Sequence, residues 1–189
     1  MKKKQLLCSL LFTSLALFIP ANTLVAKNVC DTIALKHDSM TVGNPILPGF
    51  HADPEILYSN KTGKYYIYST TDGIPGWGGY KYYVYSSADL KTWKNEGVAL
   101  DASTDQISWA NGNLWAPAAI EVKQKNGSYK YYLYFSARPN DNGRKQMGVA
   151  VSDSPTGPFV DLGKPLLAKN HPGCHGQLID VDVFIDPVS

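Results

Sequence analysis

An all-β fold of the β-propeller type is predicted by three features of this 189-residue chain. Short runs rich in Tyr, Val and Ile, "KYYIYST", "YKYYVYSS", "YKYYLYFSA" and "MGVAVSD", recur between Gly, Asn, Asp and Pro. Such runs suit a pleated, half-buried surface. Two of the gaps are tight-turn sequences, "KTGK" at 61–64 and "KNGS" at 125–128, the second with the Asn-Gly pair that tolerates positive φ in a hairpin. The third feature is an internal repeat. "HADPEILYSNKTGKYYIYST" aligns with "LWAPAAIEVKQKNGSYKYYLYFSA" and then with "QLIDVDVFID", so that Asp53, Ala116 and Asp180 fall at equivalent points, 63 and 64 positions apart. The first two units also close alike, "YVYSSADLKTWKNEG" against "MGVAVSDSPTGPFVDLG". Each ending holds a strand, an acidic turn (Ala88-Asp89 and Asp153) and an aromatic residue (Trp93 and Phe159). About four strands per unit at this period distinguish a propeller from a sandwich.

Taken in chain order, residues 1–26 are a secretory signal: Lys2, Lys3 and Lys4 precede an apolar run from Leu6 to Ile19, and Ala21 or Ala26 suits a cleavage site. The apolar run is short for a membrane span, which needs ~20 residues. Residues 27–43 form a linker and 44–189 a single domain. Without the three n-region lysines, basic and acidic residues come out nearly even, so no basic patch points to nucleic acid and no acidic tail remains. Cys30 and Cys174, the two cysteines beyond the signal, either pair in an oxidising compartment or stay as thiols. Asn60-Lys61-Thr62 and Asn126-Gly127-Ser128 match glycosylation sequons, although turn formation accounts for both.

The first strand of each propeller blade lines the central axis, so Asp53, Trp115 and Asp180 are expected around one pocket. Asp53 lies in "NPILPGFHADPEILY" and is followed by Pro54. Proline fixes its own φ and disfavours helical backbone before it, which predicts an extended Asp53. Asp53 is then either a turn residue or a working carboxylate. By strand alternation Glu55 would share its face one step deeper, and Asp182 would share the face of Asp180. "HPGCHG" at 171–176 gathers His171, Cys174 and His175, but no fourth ligand completes a zinc pattern, and a loop between blades is the better account.

The stretches "NPILPGFHADPEI", "YSSADLKTWKNEG", "NLWAPAAIE", "YYLYFSA", "MGVAVSDSPTGPF" and "IDVDVFID" together resemble glycoside hydrolase family 43, in that family's order and spacing. The resemblance covers essentially all of 44–189. It implies a five-bladed propeller acting on arabinosyl, xylosyl or related glycosides with inversion. It also implies Asp53 as general base and Asp180 as the residue that tunes the acid's pKa, with a glutamate opening the fourth blade as general acid. That glutamate would fall about position 243, past Ser189, and five blades would need roughly 315 residues. The chain is therefore expected to hold about two blades and the first strand of a third. Some relatives carry a calcium ion on the axis, which nothing in this segment requires, and no other cofactor is implied.

Inversion uses two carboxyl groups ~6.5–9.5 Å apart, one taking a proton from water and the other protonating the leaving oxygen. Sugars also present apolar C–H faces that aromatic rings cover. Trp115 is the expected platform, with Phe50 and His51 at the rim. Trp77 and Trp109 lie in loops, suited equally to substrate contact or to packing, and Trp93 is expected in the blade core. The expected partner is thus a polysaccharide or oligosaccharide met outside the cytoplasm. A carbohydrate-binding propeller without catalysis, or an inactive fragment lacking the acid, is the alternative.

Overall fold

The computed structural model describes residues 44–77 and 79–186, so the signal, the linker and Cys30 lie outside the described residues. Among the described residues eight strands form two four-stranded sheets. The first sheet holds β1 (His51–Ser59), β2 (Lys64–Thr71), β3 (Lys81–Ser87) and β4 (Lys94–Asp101) in that order. The second repeats the order with β5 (Trp115–Lys123), β6 (Tyr129–Ala137), β7 (Gln146–Ser152) and β8 (Val160–Asp161). Every neighbouring pair is antiparallel, which is the up-and-down connectivity of propeller blades. Among the described residues the one helical element is a 3₁₀ turn at Pro75–Trp77, and no helix is long and apolar enough to cross a membrane.

The expected turns form as hairpins. In the β5–β6 connection the Asn126 side chain accepts from the Ser128 amide at 3.0 Å and the Ser128 hydroxyl at 2.7 Å, a local turn that accounts for this sequon. Closing turns use the same chemistry: Asp89 accepts from the Thr92 and Lys91 amides, which with the Ser87 hydroxyl hold its carboxyl down at about 2. Residues 177–186, expected as the first strand of a third blade, form no strand. A strand needs a ladder of backbone partners, and among the described residues this stretch has one such bond, from the Leu178 amide to the Lys145 carbonyl.

The core lies within and between the two sheets. Tyr68, Tyr82, Leu100, Leu114, Leu133, Phe135 and Phe159 are fully buried. Phe159, from the closing turn of the second sheet, crosses to the first: its ring meets Tyr68 edge-on at 6.1 Å and its amide donates to the Ala99 carbonyl at 3.2 Å. The Tyr68 hydroxyl donates in return to the Pro155 carbonyl. Tyr68, Tyr82 and Tyr131 thus each reach across to the other blade. Trp93, the counterpart of Phe159, is only half-buried and stands outside this core, contrary to expectation.

A buried carboxylate joins the sheets as well. Glu121 on β5 accepts from the Ser59 hydroxyl, from the Tyr131 hydroxyl at 2.8 Å and from the Asn60 amide at 2.8 Å, with the Lys61 amide at 3.4 Å. It therefore ties the β1–β2 hairpin of one blade to the inner strand of the next.

Candidate active site

Three non-glycine residues at equivalent points of the repeat have left-handed backbone: Asp53 (φ 47°), Ala116 (φ 42°) and Asp180 (φ 61°). This corrects the expectation that Pro54 holds Asp53 extended. The ladder between β1 and β2 skips from Ala52 to Glu55, and that between β5 and β6 from Trp115 to Ala118. Asp53-Pro54 and Ala116-Pro117 each form a bulge, where proline forfeits no ladder hydrogen bond and the unpaired residue is redirected. Such backbone costs of order 1–3 kcal/mol and is held by its surroundings. The bulge also cancels simple alternation from Asp53 to Glu55. Glu55 instead turns to the second blade, where burial pushes its carboxyl up, the Ala119 amide draws it down, and the charge of Asp182 raises it again.

The two predicted acids and the predicted aromatic meet as expected. A cavity of about 430 Å³ is lined by Ala52, Asp53, Thr70, Asp72, Trp115 and Asp180. Asp182 does not line it, which separates the two aspartates that alternation left interchangeable. Thr70 and Asp72 were not singled out from the sequence, where "STTDG" resembles an ordinary strand end followed by a turn. The usable signal was register: Thr70 pairs with Ala52 across the ladder, beside Asp53.

Each wall is anchored from behind. The Asp53 carboxylate accepts from the Thr70 hydroxyl at 3.2 Å, and that hydroxyl accepts from the Ala116 amide at 3.1 Å. Tyr82, fully buried, donates to the Trp115 carbonyl at 2.8 Å; burial and then the charge of Asp53 keep its hydroxyl protonated well above the ordinary range. The Lys145 ammonium sits 3.4 Å over the centre of the Trp115 ring, a cation–π contact. Burial, and then the neighbouring Arg138, push the Lys145 ammonium down.

Asp180 reaches the cavity along a tethered loop. The Arg144 guanidinium donates to the carbonyls of Lys169 (2.6 Å), Cys174 (3.3 Å) and Gly176 (3.4 Å). The Lys145 amide donates to the Gln177 side chain at 2.6 Å, and the Leu178 amide donates to the Lys145 carbonyl at 3.2 Å. "HPGCHG" is part of this tether. No group of three or more His, Cys, Asp or Glu side chains among the described residues could hold a metal ion.

The remaining predicted residues divide. Phe50 is 58% exposed, with its ring against Gly73, next to the cavity-lining Asp72. His51 does not reach this cavity. Its Nε2 donates to the Pro48 carbonyl at 2.9 Å, its Nδ1 lies 3.0 Å from the Ser69 hydroxyl, and its ring meets Tyr85 edge-on. It lines a separate hollow of about 220 Å³ with Leu47, Pro54 and Ile67. The physical reason is that the bulge begins just after Ala52, so His51 keeps regular alternation and falls with Ser69 and Ile67 on the face opposite Ala52 and Thr70. The Trp77 side chain lies outside the described residues. Trp109 is a packing residue: it stacks on Phe135 and donates to Asp161 at 3.2 Å.

Fold and pocket together define a β-propeller protein with an acidic, aromatic-walled pocket at the start of its inner strands. The chain belongs to glycosyl hydrolases family 43, whose model matches residues 42–189. It is 35% identical over 162 residues to an arabinoxylan arabinofuranohydrolase of Bacillus subtilis (strain 168), across 71% of this chain and 29% of that protein. It is 31% identical over 175 residues to a beta-D-galactofuranosidase of Aspergillus niger, across 88% of this chain and 46% of that one. Among solved structures it resembles a family 43 arabinoxylan arabinofuranohydrolase from Bacillus subtilis in complex with cellotetraose. That likeness has a TM-score of 0.62 at 32% identity, over 77% of this chain and 32% of the other. The chain thus spans less than half the length of each of these relatives.

Proposed function

We propose that this chain forms the base side of an inverting glycoside hydrolase that removes arabinosyl, xylosyl or related units from plant-type polysaccharides or their oligosaccharides. The observation that carries this reading is the cavity of about 430 Å³ where Asp53, Asp180 and Trp115 meet. Asp53 takes a proton from the attacking water. Asp180 keeps a general acid, contributed by a further blade, protonated through like-charge repulsion. Trp115 offers an apolar face to the sugar ring. The relatives' names, an arabinofuranohydrolase and a galactofuranosidase, support a furanosyl or pentosyl unit and differ in the sugar itself. The three lysines ahead of an apolar run support export, so the polymer would be met in the periplasm or outside the cell.

The test is Asp53→Asn in the full-length protein, assayed on aryl α-L-arabinofuranoside and aryl β-D-xyloside. Turnover should fall by about a hundredfold to ten-thousandfold, with xylotriose binding retained. Turnover at the wild-type rate would reject Asp53 as the base. Binding without turnover in the wild-type protein would favour the carbohydrate-binding alternative.

A further inference from the structure

We infer that Thr70 is a positioning residue for Asp53, and that Thr70 takes its own orientation from the second blade. The inference rests on the reading of Asp53 as general base. A threonine hydroxyl has one proton to give and lone pairs to receive. The Ala116 amide can only donate, and its nitrogen lies 3.1 Å from Thr70 Oγ1. That contact occupies a lone pair of the hydroxyl and turns its proton toward Asp53 Oδ2, 3.2 Å away. The direction of the chain is therefore fixed: backbone amide to hydroxyl to carboxylate.

Three further observations make this a built arrangement. Thr70 is 2% exposed, so water does not compete for its hydroxyl. Its branched Cβ restricts χ1, which holds Oγ1 in place without help from solvent. The Ala116 amide is available because the bulge at φ 42° removes that residue from the β5–β6 ladder. One carboxylate oxygen of Asp53 is thus held by Thr70, while Oδ1 takes no hydrogen bond from a described residue and is left to receive the proton of a water. The same bulge that aims an acid in the first blade aims a backbone amide in the second.

The experiment compares Thr70→Val and Thr70→Ser with wild type and Asp53→Asn in the full-length protein. Valine keeps the shape of the buried side chain and removes only the hydroxyl. For Thr70→Val, kcat on an aryl glycoside should fall about 10- to 100-fold with KM changed less than about twofold. Thr70→Ser should recover kcat to within about threefold. Amide hydrogen exchange at Ala116 should accelerate in the valine variant and stay slow in the serine variant. Wild-type kcat in Thr70→Val beside an inactive Asp53→Asn would overturn the positioning role and leave the base assignment standing. Equal loss in the valine and serine variants would reduce Thr70 to packing and overturn the inference. An active Asp53→Asn would remove its premise, and the inference with it.

Discussion

Replacing Glu121 by alanine should lower stability by about 3 kcal/mol, and the hydrogen bonds around it give that figure. Glu121 is 9% exposed and receives the Ser59 and Tyr131 hydroxyls together with the Asn60 amide. Without the carboxylate the two hydroxyls still satisfy each other, because Ser59 Oγ lies 2.8 Å from the Tyr131 oxygen. The Asn60 amide has no such substitute, and losing a hydrogen bond to a charged group costs ~1.5–3 kcal/mol. The one lost methylene adds ~0.8 kcal/mol. For a domain of this size each kcal/mol moves Tm by about 2–4 °C, so the alanine variant should melt about 10 °C lower. The contribution also depends on pH in a definite direction. Burial raises the Glu121 carboxyl, and hydrogen bonds from Ser59, Tyr131, Asn60 and Lys61 more than offset that, leaving it below its ordinary 4.5. A group depressed on folding stabilises the fold fully above its unfolded pKa, and that stabilisation fades as pH falls through the folded value. Thermal unfolding of wild type and Glu121→Gln, followed by circular dichroism from about pH 7 to about pH 3, should give a gap that narrows below about pH 4.5. An alanine variant within about 2 °C of wild type at neutral pH, or a gap independent of pH, would refute the argument.

Two other substitutions probe the packing and the bulge. Gly148→Ala would set a methyl 2.6 Å from the Phe135 ring and 2.7 Å from the Trp109 ring, which stack on each other. Its denaturant midpoint should correspond to a loss of about 1–3 kcal/mol, and an unchanged midpoint would contradict the packing described. Ala116→Gly should be neutral or stabilising by up to about 1 kcal/mol, since it relieves the left-handed φ of 42° but loosens the unfolded chain. Ala116→Val should destabilise, because a branched Cβ fits that backbone poorly; chemical unfolding of the two variants in parallel separates the cases.

Much of the architecture was legible because it rests on period and composition. The Tyr-rich runs became β2, β3 and β6, both hairpin turns formed, and the interval separating Asp53, Ala116 and Asp180 located the three left-handed residues. What failed did so for local reasons. The rule for residues before proline describes unconstrained backbone, whereas Asp53 is held in a bulge between paired segments, so its φ ran against the rule. Alternation assigned Glu55 to the face of Asp53, and the same bulge broke that parity. His51 was assigned to the rim by adjacency, yet regular pairing one residue before the bulge turned its ring to Ser69 and Tyr85. Glu121 carries no local signature, because most of its partners lie on the other blade's hairpin, and Thr70 shows only through its register with Ala52.

Equivalent positions in a repeat usually diverge by changing side chains on one backbone, and here one left-handed backbone presents a different group at each position. At the first position the left-handed residue frees a carboxylate; at the second, Ala116 has no functional side chain, and its freed amide becomes the useful group. That division makes the geometry of Asp53 depend on contacts its own blade cannot provide. Thr70 belongs to the first blade, but the amide that orients it comes from the second, whose strand is held by the Tyr82 hydroxyl on the Trp115 carbonyl and by Glu121 on the neighbouring hairpin. Any loosening between the blades therefore releases the Thr70 hydroxyl before it disturbs either sheet's own ladder. Substitutions at Glu121 should accordingly reduce turnover as well as stability, through a residue that never approaches the cavity.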